Sequence, residues 1–294
     1  MSDDGDLAAR LGVAPLDRDV FRGFCPPSSW RRIFGGLVIG QSIAAMARTV
    51  EARPLHSLHA YFLIAGNPAV PIDYAVERLR DGGSFSTRRC VGSQGGQAIV
   101  TVTASFQKVE TGLSHADRMP DVPSPEDLAD EAEILRRFGA EMPKPALRYL
   151  AAPRPVEIRP VALRQFLRLE PPGRDGGQAV WMRCRARLPA DLALRAAALG
   201  YMSDMTLLDA ALLHHRRSVF DPTLQVASLD HAMWVHEPDL PDGWMLYVED
   251  SPWSGGGRGL ARGRFFGRDG ALLASVAQEG LIRQRLSELS DASA

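Results

Sequence analysis

Two segments with a similar pattern lie on either side of a proline-rich stretch of this chain. In each segment, a helical spacing of apolar residues is followed by a serine-containing strand, a glycine-rich turn and a strand that ends in glutamine. Residues 57–107 and 228–278 both begin with serine, end with glutamine and have the same length. This self-similarity predicts two copies of one structural unit within a single chain.

The boundaries of the two copies follow from the distribution of proline. Residues 110–160 contain eight prolines together with an acidic run at 126–133. Prolines at this density interrupt regular structure. We therefore predict an N-terminal unit over residues 1–110, a linker over 111–154 with one short helix near 125–138, and a C-terminal unit over 155–294.

The fold class follows from the order of elements within each copy. Apolar residues at helical spacing predict a helix over residues 36–50 and another over residues 204–215. Residues 100–107 alternate between apolar and polar side chains, which is typical of a half-buried strand. Short turns between successive strands favour an antiparallel sheet. The class is therefore α+β, and the small residues of the first helix suggest a sheet that curls closely around it.

Six short stretches of the sequence resemble the acyl-CoA thioesterase II family, in the same order and spacing. They are Phe34-Gly35-Gly36 with Gly40-Gln41, His56-Ser57-Leu58-His59-Ala60-Tyr61-Phe62-Leu63, Arg80-Asp81-Gly82-Gly83-Ser84-Phe85, Leu199-Gly200-Tyr201-Met202-Ser203-Asp204, Leu229-Asp230-His231-Ala232-Met233-Trp234 and Gln278-Glu279-Gly280-Leu281-Ile282-Arg283. The resemblance covers residues 20–108 and 155–285. It implies a double hotdog, in which each copy is a long helix wrapped by a curved antiparallel sheet. It also implies an acyl-CoA substrate, no cofactor, and a homodimer or higher homo-oligomer.

The resemblance assigns catalysis to three polar side chains, Asp204, Ser228 and Gln278. In the family these orient and deprotonate a water molecule, with no covalent intermediate, and threonine is more usual where this chain has Ser228. Taken alone, each residue has a structural explanation, since aspartate is a favoured N-cap and strand ends often carry polar side chains. Only the joint match to the family favours the catalytic interpretation.

Three further residues are candidates for contact with the substrate: Gly36, His56 and Arg258. Gly36 occupies roughly the place of Asp204 in the first copy. His56 lies next to Ser57, the counterpart of Ser228, and Arg258 follows a glycine-rich turn where it could reach coenzyme A. Because the first copy has no carboxylate at Gly36, we expect a single hydrolytic site per chain.

Two other functions stay open. Enoyl-CoA hydratases share the double hotdog fold, but they need an Asp–His pair at a loop-to-helix junction, and no histidine directly follows Asp204. A non-catalytic acyl-CoA-binding protein would bind without releasing thiol. A serine triad of Ser228, Asp230 and His231 is disfavoured, since simple strand alternation points His231 away from Ser228.

Composition excludes several function classes. The formal net charge of −1 gives no overall field for nucleic acid, and the three cysteines form neither a CxxC pair nor a disulfide framework. His214 and His215 lack the HExxH spacing, so no metal site is expected. An acidic N-terminus and the absence of an apolar run of about 20 residues predict a cytoplasmic protein with no membrane partner. The alternating row Arg183, Arg185 and Arg187 is more typical of a solvated strand face than of a phosphate site.

Overall fold

The computed structural model describes residues 6–26, 32–173 and 176–285. The helices in these ranges are α1 (Leu7–Leu11), α2 (Gly35–Ala47), α3 (Glu131–Phe138), α4 (Lys144–Ala151), α5 (Leu163–Phe166), α6 (Leu192–Ser203) and α7 (Leu207–Leu213). The strands are β1 (Val13–Asp17), β2 (Val20–Gly23), β3 (Leu55–Phe62), β4 (Ile72–Asp81), β5 (Phe85–Gln94), β6 (Gln97–Gln107), β7 (Val156–Pro160), β8 (Gln178–Cys184), β9 (Leu224–Ser228), β10 (Asp230–Val235), β11 (Met245–Gly255), β12 (Arg258–Gly267) and β13 (Leu272–Gln284).

All strands in the described residues belong to one antiparallel sheet. The order is β1-β2-β4-β5-β6-β3-β10-β13-β12-β11-β8-β7, and β9 pairs with β13 beside β10. Strands of the first copy therefore fill one side, and strands of the second copy fill the other. The two sides join where β3 pairs with β10 over five residue pairs, from Ser57 opposite Trp234 to Tyr61 opposite Asp230.

The helices α2 and α6 pack against each other in antiparallel directions within the curve of the sheet. A side chain at Gly36 or Gly40 of α2 would collide with the backbone carbonyl of Tyr201 or Ala197, respectively. The missing side chains therefore let the two backbones approach closely, as small residues do at tight helix contacts. The helix predicted over residues 204–215 corresponds to α7, which is shorter than predicted. A further helix, α6, comes directly before it in the chain.

The sequence patterns did not predict α6, because the helix has no polar face. All residues from Ala196 to Ser203 are buried, so the amphipathic spacing that marks a surface helix is absent. In the described residues, the helical stretch Leu192–Leu213 is also long and apolar enough to cross a bilayer by length and composition. However, 89% of its most apolar window is buried in the fold, as expected for a core helix.

The proline-rich linker holds more regular structure than the single helix that its prolines suggest. Besides α3 it contains α4 and two single turns of 3-10 helix, Pro125–Asp127 and Gly139–Glu141. Pro145 lies in the first turn of α4, where a missing backbone N–H costs nothing. The linker packs its apolar residues Met119, Val122 and Leu128 against the cluster around Trp181 and Trp244.

Arginine side chains in both copies have acidic partners. Arg183 donates to Glu157, Arg185 to Glu131, and Arg187 to Asp242, so the arginine row on and after β8 forms ion pairs within the chain.

The fully buried Arg88 donates to Asp81 at 2.7 Å and to the backbone and hydroxyl oxygens of Thr49 at 3.0 and 2.9 Å. The stretch from Arg80 to Phe85, which contributes to the family resemblance, thus ties the β4–β5 hairpin to the end of α2.

Candidate active site

Asp204 lies in the short turn between α6 and α7 rather than at the start of a helix of its own. It is the C-cap residue of α6, and α7 begins three residues later with Thr206 as N-cap. The expectation that Asp204 opens the second helix is therefore wrong in detail. The turn places the side chain, 9% exposed, against the N-terminus of α2 from the first copy.

The structure brings Asp204, Ser228 and Gln278 together in one chain of hydrogen bonds. Ser228 Oγ donates to Asp204 Oδ1 at 3.2 Å, and Gln278 Nε2 donates to Ser228 Oγ at 2.8 Å. Gln278 comes from the middle of β13 and Ser228 from the end of β9. Each side chain thus donates toward the carboxylate, an arrangement that supports a negative charge at Asp204.

A fourth side chain, His231, completes this chain of donors, and the sequence reasoning missed it. Its Nδ1 lies 2.6 Å from Gln278 Oε1, and its Nε2 lies 2.9 Å from Ser203 Oγ. Because an amide oxygen only accepts hydrogen bonds, Nδ1 of His231 carries the hydrogen in this network. His231 therefore fixes which end of the Gln278 amide is directed at Ser228.

A β-bulge explains why His231 faces the site. Ser228 lies opposite Gly280 and Ala232 opposite Ala277, so four residue steps on one strand face three on β13. The extra residue reverses the phase of the strand, and His231 therefore reaches the same glutamine as Ser228. The expectation that His231 points away from the site is wrong for this reason.

The Asp230 carboxylate accepts from the Glu279 N–H at 2.7 Å within this bulge. It therefore satisfies the backbone of the sheet and is no partner of His231.

The N-terminus of α2 is the second support for the Asp204 carboxylate. The N-cap residue Phe34 makes no side-chain capping bond, and the backbone N–H of Gly36 donates to Asp204 instead. Asp204 thus caps the N-terminus of α2, a helix of the other copy, where the helix dipole favours a negative charge. A Cβ atom at Gly35 would lie 2.6 Å from Asp204 Oδ2, so the close approach requires glycine.

Burial raises the pKa of Asp204 above its usual value, and four neighbours oppose this effect. In order of size they are the charge of His231 and the hydrogen bonds from Gln278, Ser228 and the Gly36 backbone. Desolvation is the larger influence because the carboxylate is removed from water. A carboxylate held in this way is a stronger base than an exposed aspartate, while its donors still stabilise the ionised form.

Of the three candidate substrate contacts, the structure brings only Gly36 to this cluster. His56 lies at a bulge of β3 with its ring 5.6 Å from that of Phe85. Arg258 donates to Glu279 at 2.9 Å, on the face of the sheet opposite Gln278. Contact of either residue with a substrate stays a prediction.

Gln107 of the first copy is not the structural equivalent of Gln278 in the second. Ser57 lies opposite Ser105, two residues before Gln107, whereas Ser228 lies opposite Gly280, two residues after Gln278. Gln107 Nε2 is 3.5 Å from Glu110. The equal spans in the sequence therefore conceal a difference in strand register.

The part of the chain that the structure describes contains no group of three or more His, Cys, Asp or Glu side chains arranged to hold a metal ion.

Comparison with known proteins decides the family. Residues 26–107 match the family model of the acyl-CoA thioesterase N-terminal domain, and residues 151–281 match the acyl-CoA thioesterase model. Acyl-coenzyme A thioesterase 8 of Rattus norvegicus is 40% identical, covering 97% of this chain and 93% of its own length. The chain belongs to the acyl-CoA thioesterase family. The expected enzyme class, a thioester hydrolase, is confirmed by this membership.

Bacterial members of the acyl-CoA thioesterase family are similar in sequence and structure. Acyl-CoA thioesterase 2 of Haemophilus influenzae is 38% identical over 95% of this chain and 97% of its own. The crystal structure of an acyl-CoA thioesterase II, TesB2, from Mycobacterium marinum has a TM-score of 0.76 at 39% identity, covering 95% and 97% of the two chains. The expected double hotdog fold is thereby confirmed.

Proposed function

We propose that this enzyme hydrolyses acyl-CoA thioesters to a free carboxylic acid and coenzyme A, with Asp204, Ser228 and Gln278 as its catalytic residues. One observation carries the assignment of residues: a single buried carboxylate receives donors from Ser228 and from the N-terminus of α2. The rest of the donor chain orients Ser228.

The proposed reaction is a direct attack by water. Asp204 accepts a proton from the water as its oxygen bonds to the thioester carbonyl carbon. The tetrahedral intermediate then collapses with cleavage of the C–S bond, and the proton passes from Asp204 to the sulfur of coenzyme A. A general base in this position contributes about 10²–10⁴-fold to the rate. Ser228 and Gln278 orient the base and the water, and neither becomes acylated.

The first turn of α2 is the proposed site for the developing oxyanion. This helix has no side-chain N-cap of its own, and its positive end lies at Asp204. Backbone N–H groups at such a position stabilise the negative charge that forms on a carbonyl oxygen. Phe62 lies beside Gly35, and the next residues, Leu63 and Ile64, are exposed apolar side chains. We place the apolar acyl group on this side.

Thiol release from acyl-CoA substrates of increasing chain length tests the proposed function. Asp204→Asn keeps the size of the side chain but removes the base, so kcat should fall by about 10²-fold or more. Asp250→Asn is a matched control, since Asp250 is a partly exposed carboxylate paired with Arg262 outside the site, and it should keep normal turnover. An Asp204→Asn enzyme with near-normal kcat would overturn the assignment.

Hydration of an enoyl-CoA is the alternative reaction, and the position of His231 beside the catalytic cluster makes its test necessary. Both ring nitrogens of His231 are already bonded to Gln278 and Ser203. The imidazole is therefore committed to protein partners rather than presented to a substrate. Loss of ultraviolet absorbance from crotonyl-CoA without release of thiol would favour the hydratase.

A further inference from the structure

A second buried polar cluster lies next to the turn that carries Asp204. Glu249 of β11 is 1% exposed, and its two oxygens accept from Thr206 Oγ1 at 2.7 Å and from Gln178 Nε2 at 2.8 Å. Gln178 Nε2 also lies 3.2 Å from the Thr206 carbonyl oxygen. The hydroxyl and the carbonyl of Thr206 are thus both held by side chains from the sheet.

The other end of the same turn is held from the same strand. Tyr247, two residues before Glu249 on β11, is fully buried and donates its hydroxyl to the Ser203 carbonyl oxygen at 2.9 Å. Residues two apart on a strand face the same side. One face of β11 therefore holds the residue before Asp204 and a residue just after it.

We propose that Tyr247 and Glu249 are positioning residues, which hold the 203–206 turn so that the Asp204 carboxylate meets Ser228 and the N-terminus of α2. The inference rests on the proposed function of Asp204. It assigns a role in turnover to two side chains that touch neither Ser228 nor Gln278 in the described contacts. Without these bonds, α6 and α7 would keep their packing while the turn between them gained freedom.

The hold of Glu249 on the 203–206 turn depends on whether its carboxyl group is protonated, and therefore on pH. Burial raises the pKa of Glu249 to about 8, against the hydrogen bonds from Thr206 and Gln178. Asp209 of α7 raises this pKa further, and Arg168 lowers it. The charges of Glu249 and Asp204 in turn raise the pKa of the buried Tyr247 hydroxyl, which burial raises most. Ionisation of Glu249 above about pH 8 therefore places a buried negative charge near Asp209 and the Tyr247 hydroxyl, which holds the other end of the turn.

Removal of the Tyr247 hydroxyl tests the proposal at one end of the turn. Tyr247→Phe keeps the ring stacked on Phe265, at 3.8 Å between centroids, and loses only the bond to Ser203. Tyr74→Phe is the matched control, because Tyr74 is equally buried and donates to Gln41 at 3.0 Å rather than to the 203–206 turn. We expect the two variants to lose similar amounts of melting temperature. Tyr247→Phe should also lower kcat roughly tenfold with little change in KM. The control should keep its kcat.

Two variants of Glu249 test the other end. We expect the kcat of the wild type to decline above about pH 8. Glu249→Gln stays neutral and able to hydrogen bond, so it should retain most of kcat and lack this decline. Glu249→Ala should lower kcat at every pH.

Equal kcat for the wild type, Tyr247→Phe and Glu249→Ala would overturn the proposal, as would equal losses in both tyrosine variants. Asp204→Asn separates the two hypotheses. If this variant is inactive while the positioning variants are normal, the positioning proposal alone fails. If Asp204→Asn stays active, the catalytic assignment fails.

Discussion

At the level of single residues, the Asp204 carboxylate is both removed from water and surrounded by donors. Burial raises its pKa, and His231, Gln278, Ser228 and the Gly36 N–H act in the opposite direction. A raised pKa means that the folded protein holds this proton more tightly than the unfolded chain. The ionised carboxylate that the proposed mechanism requires is therefore present at a cost in stability.

This cost predicts how stability depends on pH. Relative to Asp204→Asn, the wild type should lose free energy of unfolding as pH rises from the ordinary aspartate pKa of 3.8 to the raised value in the fold. Above that window the difference between the two proteins should stay constant. Denaturant unfolding of both proteins across pH 4 to 8 measures the difference. An increase in the free energy of unfolding of the wild type relative to the variant as pH rises would contradict this prediction.

Gly35 offers a second test at this scale. A Cβ atom at Gly35 would lie 2.6 Å from Asp204 Oδ2 and 3.0 Å from the Phe62 ring, so Gly35→Ala must displace the carboxylate or the helix. We expect kcat to fall by about 10²-fold, as a shift of about 1 Å in a reacting group can cause. Gly83→Ala is the control, since nothing lies within 4 Å of its added atom. Thiol release by the two alanine variants provides the comparison, and equal activity would show that the site tolerates the methyl group.

At the level of elements, the β-bulge between β9 and β10 determines which side chains meet. It brings Ser228 and His231 to Gln278 from positions that simple alternation would place on opposite faces. Bulges often re-aim side chains beside active sites in this way.

The bulge places His231 where two substitutions should lower kcat to different extents. Asparagine can place an N–H near the position of Nδ1, so His231→Asn should keep Gln278 directed at Ser228 and retain much of kcat. His231→Ala leaves the amide free to reverse, and we expect a loss of about tenfold or more in kcat. Melting temperatures of both variants separate this effect from loss of packing, since His231 is buried. Equal kcat values for the two variants at equal stability would refute the orienting role.

At the level of the whole molecule, the site is shared between the two halves of the chain. Asp204, Ser228 and Gln278 belong to the second copy, while Gly35 and Gly36 at the carboxylate belong to the first. The β3–β10 pairing and the contact between α2 and α6 hold the halves together. Val109 and Leu113, which come just after β6, are exposed and lie outside this junction.

This division predicts the effect of cutting the chain. A protease site inserted at Gly112 should be cleaved without loss of thiol release, because the two fragments remain paired through β3 and β10. Residues 155–294 expressed alone should be inactive, although they contain all three proposed catalytic residues. Activity of the isolated second half would contradict the shared site. Size-exclusion chromatography of the cleaved enzyme shows whether the fragments stay together.

The family could be predicted from the sequence, and so could the meeting of Asp204, Ser228 and Gln278, because short motifs carry these residues. Their catalytic role stays a proposal. The position of His231 could not be predicted, since the bulge changes the strand phase but does not change the spacing of apolar residues in the sequence. The polar partners Tyr247 and Glu249 were missed for a similar reason, because β11 places them on its buried face. Helix α6 lacks the polar stripe by which amphipathic helices are recognised, and proline, taken as a helix breaker, instead begins α4.

The pairing of β3 with β10 has a consequence for how the enzyme behaves on dilution. Two separate chains that shared a site across such a contact would dissociate at low concentration and lose activity. Here the linker tethers one half to the other, so the second strand is always present at a high effective concentration. Completion of the Asp204 site by α2 is an intramolecular event, and the specific activity arising from this contact is independent of enzyme concentration.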